Sequence, residues 1–152
     1  MREQCVYLAL VVTTVLGLGG IASEKPPESY RKSMQTLEAF SESIGPAMTD
    51  ADYDAVTRSA VSAKEAFGTV EYFWKTRKGA ALAARDAADA VKSDEAAKLA
   101  WAGAKAAADL GVAASLRNSE GIAFAAQAIT GLCAGCHARH REQMADGTFQ
   151  IK

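Results

Sequence analysis

The chain has 152 residues, enough for one domain with its own core but not for two. Seventeen basic residues against eighteen acidic ones leave a net charge of −1, so the excess of positive charge that nucleic acid requires is missing. About half the residues are apolar, alanine is abundant and valine and isoleucine are sparse beyond the first 22 positions, a balance that favours helix over strand.

Residues 1–23 differ from the rest. Arg2 precedes Val6–Ala22, a run without a charge, and charge returns at Glu24 and Lys25. A basic start, an apolar run and small residues describe an export leader, with Gly20-Ile21-Ala22 as its cleavage site and residues 24–152 as the domain. The competing reading is an uncleaved membrane anchor, because the run is at the lower limit of a span. Cleavage would remove Cys5 and leave Cys133 and Cys136.

Pro26-Pro27 opens the domain, and a helix is expected from Glu28 to Ile44, ended by Gly45-Pro46. Its face carries Tyr30, Met34, Leu37, Ser41 and Ile44. Thr49 or Asp50 would cap a second helix running to Lys75 or Lys78, where Gly79 breaks the chain. Tyr53, Val56, Ala60, Ala63, Phe67, Val70 and Trp74 alternate at three and four residues, the spacing of an inward helical stripe.

Residues 80–116 are expected to be helical, with a break at Lys92-Ser93-Asp94 as the alternative; Leu99, Ala106, Leu110 and Ala113 carry the stripe. Arg117-Asn118-Ser119 forms a turn with Ser119 as cap. A last helix runs from Glu120 to Met144 with Ile122, Ala126, Ile129, Cys133, Cys136 and His140 inward. The tail from Asp146 reads as a turn followed by extended chain. The expected fold is all-α: an antiparallel four-helix bundle whose last helix carries the chemistry, with Phe67, Phe73, Trp74 and Trp101 in its core.

That chemistry lies in Cys133-Ala134-Gly135-Cys136-His137. C-x-x-C-H is the attachment pattern of c-type haem. At about 100° per residue, the two thiols and the imidazole fall within an arc of about 100°. Two thiols can therefore bond one porphyrin while His137 reaches its iron, giving one covalent haem c and a C-terminal haem-attachment helix. A disulfide is the bland reading of the cysteine pair. Zinc would use His140 as a further ligand but lacks a second ligand pair from a distant segment. A thioredoxin-type pair lacks its βαβ context.

The sequence resembles the cytochrome c′/c556 family, the class II c-type cytochromes, over about residues 26–145. The family ending C-x-x-C-H-x-x-Tyr-Arg appears here as Cys133 to Arg141, with His140 in place of tyrosine. The first-helix Tyr-Arg appears as Tyr30-Arg31, followed by Lys32-Ser33-Met34. The resemblance implies a periplasmic protein, Arg31 near a haem propionate, Arg141 near the haem edge and homodimers among its members.

It also implies a distal position on the first helix. That position usually falls four residues after the arginine, which here is Gln35, on the outward side. Met34 lies on the apolar stripe and is the expected distal iron ligand. Met48 is a weaker candidate. Met144 and His140 share the helix of His137 and would not reach the opposite haem face, although His140 could contact the porphyrin edge.

His/Met ligation suits electron transfer with redox partner proteins. An open distal site suits a gas such as NO or CO instead. An enzyme is not expected, because no distal acid–base pair can be picked out.

Overall fold

The computed structural model describes residues 26–143, 145 and 149–151. The leader with Cys5, Met144 and the start of the tail lie outside the described residues. Four helices follow in order: α1 (Glu28–Thr49), α2 (Tyr53–Ala83), α3 (Ala87–Ser115) and α4 (Ser119–His140). Two short strands, β1 (Arg141–Gln143) and β2 (Phe149–Ile151), pair antiparallel with Arg141 opposite Ile151. The all-α expectation therefore holds apart from this hairpin.

The stripe on α2 is the firmest sequence feature: Val56, Ala60, Ala63, Phe67, Val70 and Trp74 are all buried. On α3 the buried line passes through Ala96, Ala100, Gly103, Ala107 and Leu110, so Leu99 and Ala106 lie beside the core rather than in it. On α1, Phe40 is buried and Ser41 is exposed, a shift of one residue from the expected stripe. Ile122, Ala126 and Ile129 of α4 are buried as expected.

Small residues set how closely α2 and α3 approach. A Cβ on Gly103 would collide with Cε1 of Phe67. The phenyl ring therefore lies directly against the α3 backbone. At the Trp74 end, Arg77 clamps Asp89 through Nε (3.1 Å to both carboxylate oxygens) and Nη2 (2.8 Å to Oδ1). Helix α2 packs on α1 and on α3, and α3 packs on α4, whereas α1 and α4 meet only lightly.

The helix ends are where sequence expectation fails. Gly45-Pro46 does not end α1, which continues to Thr49. Pro46 therefore lies inside α1, in its last turn. Gly79 does not break α2, and α3 runs unbroken through Lys92-Ser93-Asp94. Helix α4 stops at His140 instead of Met144 because β1 begins at Arg141.

The real breaks share one geometry. In 50–52, 84–86 and 116–118, the middle residue has positive φ: Ala51 at 52°, Arg85 at 60° and Arg117 at 52°. The third residue of each, Asp52, Asp86 or Asn118, sends its amide back to the fifth residue before it. Its side chain then accepts the amide of Ala55, Asp89 or Gly121 and caps the next helix. The caps expected at Thr49 or Asp50 and at Ser119 are thus displaced to these residues.

Two stability outcomes follow. Gly103→Ala forces a methyl into the Phe67 ring and should cost about 1–3 kcal/mol in urea unfolding, part of it recovered by Phe67→Leu. Ala51→Gly relieves a left-handed alanine and should stabilise by about 1 kcal/mol in the same assay.

Candidate functional site

Helix α4 delivers the motif at the end of the protein where α1 begins, α2 ends and α3 begins. Cys133 and Cys136 are free and half-buried, and His137, one residue on, is exposed. All three lie within one helical turn and a little more. Burial pushes both thiols up; Cys136, also facing Cys133, is raised to about 11. Both are therefore neutral S–H groups at pH 7. Partial burial lowers the pKa of His137, and the Arg141 guanidinium lowers it further, with Nη1 3.5 Å from Nδ1. His137 is thus held as the neutral imidazole that binds metals.

His140 lies on the same face of α4, one turn further on and deeper. Only 4% exposed, its ring packs against Trp74 with centroids 5.5 Å apart. Neither ring nitrogen has a hydrogen-bond partner among the described residues, and Nε2 lies 3.9 Å from a carboxylate oxygen of Glu95. Desolvation lowers its pKa, and Glu95 opposes that shift. Arg139 holds the other Glu95 oxygen at 3.0 Å.

Trp74 is the hub of an aromatic group. Phe73 meets it edge-on at 5.3 Å, and Tyr30 stands 4.4 Å from Phe73 and 6.4 Å from Trp74. Burial, and then the field of Cys136, raise the pKa of the Tyr30 hydroxyl. Tyr30 is therefore the α1 residue that reaches toward the motif. Tyr30, Trp74 and Glu95 were not singled out from sequence as site residues; the first two stand at the ends of the α1 and α2 stripes, which was the signal available.

Met34, one turn beyond Tyr30, is partly buried against the core, and Arg31 is exposed. Met48 lies 14 positions further along α1, about 21 Å away by helical rise. It lines a cavity of about 50 Å³ with Tyr53, Val56 and Ile122. That position is at the far end of the molecule from the motif and removes Met48 as a ligand. Met144 lies outside the described residues, and α4 ends at His140. Trp101, expected in the core, is 59% exposed.

The surroundings fit a flat apolar group. Helix α4 is long and apolar enough to cross a membrane by composition, yet little of it is buried. One side packs on α3, and the side toward α1 is lightly covered. Two neutral thiols thus stand on an incompletely covered apolar helix, with an available imidazole beside them. Among the described residues, no three His, Cys, Asp or Glu side chains gather to hold a bare metal ion. An iron already held by four porphyrin nitrogens needs only an axial side chain.

The chain matches no family model, no curated protein and no solved structure.

The thiol environment gives a pH-dependent outcome for the polypeptide without haem. In the folded chain the Cys136 thiol titrates near 11 rather than at its ordinary 9.0. Iodoacetamide labelling at pH 7 should be slow and should accelerate when urea unfolds the chain. The stability contributed by the neutral thiol is complete below pH 9 and falls as pH rises from 9 toward 11. Equal labelling rates in folded and unfolded chain would contradict this environment.

Proposed function

We propose that the protein is an exported mono-haem c-type cytochrome that transfers electrons in the periplasm. The observation that carries this reading is the single turn of α4 presenting two neutral thiols and a neutral imidazole on a sparsely covered apolar helix. Cys133 and Cys136 would hold the haem through one thioether each, and His137 would serve as the proximal ligand of its iron. A bound haem supplies an iron that accepts and releases one electron.

The rest of the site supports this reading by position. The fold proposed is an antiparallel four-helix bundle. Its support is that Arg77 meets Asp89, Phe67 meets Gly103 and Arg139 meets Glu95, contacts that run in opposite senses along paired helices. Tyr30 and Met34 on α1 flank the side of α4 that α1 leaves open, and Met34 is proposed as the distal ligand. Arg141, beside His137, is proposed near the haem edge, and Arg31, on the exposed side of α1, near a propionate. His140 stands in the buried aromatic group, where it would stiffen the wall behind the porphyrin. Redox partner proteins would dock where the motif turn is exposed.

The assignment is tested in the protein expressed with its export and haem-attachment machinery. Cys133→Ala/Cys136→Ala should abolish haem staining in denaturing gels, and staining that persists would contradict attachment. The wild-type spectrum should be low-spin with a sulfur-to-iron charge-transfer band, and Met34→Ala should convert it to high-spin. A wild-type spectrum already high-spin and shifted by CO would overturn the carrier role in favour of binding a small gas. An unchanged spectrum in Met34→Ala would remove Met34 from the iron.

A further inference from the structure

Among the described residues, four buried side-chain polar atoms lack a hydrogen-bond partner. They belong to three side chains: Nε1 of Trp74 on α2, Oγ of Ser93 on α3 and both ring nitrogens of His140 on α4. All three side chains are buried. A buried polar group left unpaired is costly, and such groups are normally met by protein or by ordered water.

The helix contacts bring the three to one level. Arg77 of α2 meets Asp89 of α3, and Phe67 meets Gly103. Between these contacts, Trp74, one turn before Arg77, falls level with Ser93, one turn after Asp89. His140 packs on the Trp74 ring, and its Nε2 lies 3.9 Å from Glu95, two residues beyond Ser93.

Ser93 also behaves unlike other helical hydroxyls of this chain. Thr57, Thr76 and Thr130 each donate to the carbonyl four residues back. Ser93 makes no such bond, although α3 is unbroken around it. Its hydroxyl is turned from its own backbone and, with no solvent exposure, toward the neighbouring helices.

The donors and acceptors form a complementary set. The indole N–H can only donate, the hydroxyl does both, and a neutral imidazole has one donor and one acceptor. The Glu95 carboxylate beside Nε2 favours a hydrogen there, which leaves Nδ1 as the acceptor. A water oxygen can accept from Trp74 and Ser93 while one of its hydrogens goes to Nδ1. About three such bonds are usual for a buried water. The Tyr30 hydroxyl feels the Trp74 N–H, but the two do not meet in hydrogen-bonding geometry.

We infer that one water molecule is bound in the interior between Trp74, Ser93 and His140, and that it holds His140 as the Nε2–H tautomer. This water ties the end of α4, one turn past His137, to α2 and α3. The inference rests on these three helices and is independent of haem attachment.

High-resolution crystallography of the purified protein tests it. A solvent peak is expected within about 3.2 Å of Trp74 Nε1, Ser93 Oγ and His140 Nδ1, and the 15N shifts of His140 should place its hydrogen on Nε2. Ser93→Val fills the space and should expel the water, with a helical circular-dichroism spectrum showing that the variant is folded. Ser93→Ala keeps the space, removes one partner and should weaken the peak. Tyr30→Phe should leave the peak in place. A wild type without the peak would overturn the inference, as would a peak unchanged by either Ser93 variant or a hydrogen on Nδ1. Loss of the peak in Tyr30→Phe would overturn the set of partners, because it would assign the water to Tyr30.

Discussion

The helical period along α4 is the constraint on which the site depends. Residues 133, 136 and 137 face one way only because the backbone turns about 100° at each step. Residue 140, seven after Cys133, returns to the same face and enters the core, where His140 meets Trp74. One face of α4 therefore carries both the motif and, a turn further on, its buried anchor. The anchor holds the turn against α2 and α3. A strand would send the thiols at positions 133 and 136 to opposite faces.

The way the other helices pack decides what is left uncovered. Alanine and glycine line the contact between α2 and α3, and the Phe67 ring fills the space over Gly103. Bidentate pairing of Arg77 with Asp89 closes one end of that contact. These two helices form the body on which α1 and α4 rest. The outer helices touch each other lightly. The aromatic group of Tyr30, Phe73 and Trp74 packs between α1 and α2 at the motif end.

Much of the fold was legible because burial follows period. The stripe of α2 from Val56 to Trp74 and the inward line Ile122, Ala126 and Ile129 of α4 needed only the spacing of apolar residues. Helix ends were less legible because the signals that usually mark them were elsewhere. Gly45-Pro46 and Gly79 lie inside helices, whereas the true turns place Ala51, Arg85 and Arg117 in left-handed backbone where glycine is the usual choice. The caps that do exist follow one residue later, as Asp52, Asp86 and Asn118. An Asx residue after each turn was therefore a readable mark that the glycines obscured. At the site, Cys133, Cys136 and His137 were legible as a motif. Tyr30 and Glu95 were not, because their roles arise from contacts between helices far apart in sequence. Trp101 misled because an aromatic residue in an alanine-rich helix reads as core, and its exposure depends on which face α2 and α4 leave open.

One turn of α4 bonding a single porphyrin through both thiols is the proposal that everything else at the site serves. Intact-mass spectrometry of the protein, isolated after expression with export and haem-attachment machinery, tests it most directly. The expected result is a chain heavier by one haem, with the added mass surviving denaturation and localised to the peptide containing Cys133, Cys136 and His137. A chain at its bare polypeptide mass, with both thiols open to alkylation after unfolding, would contradict it.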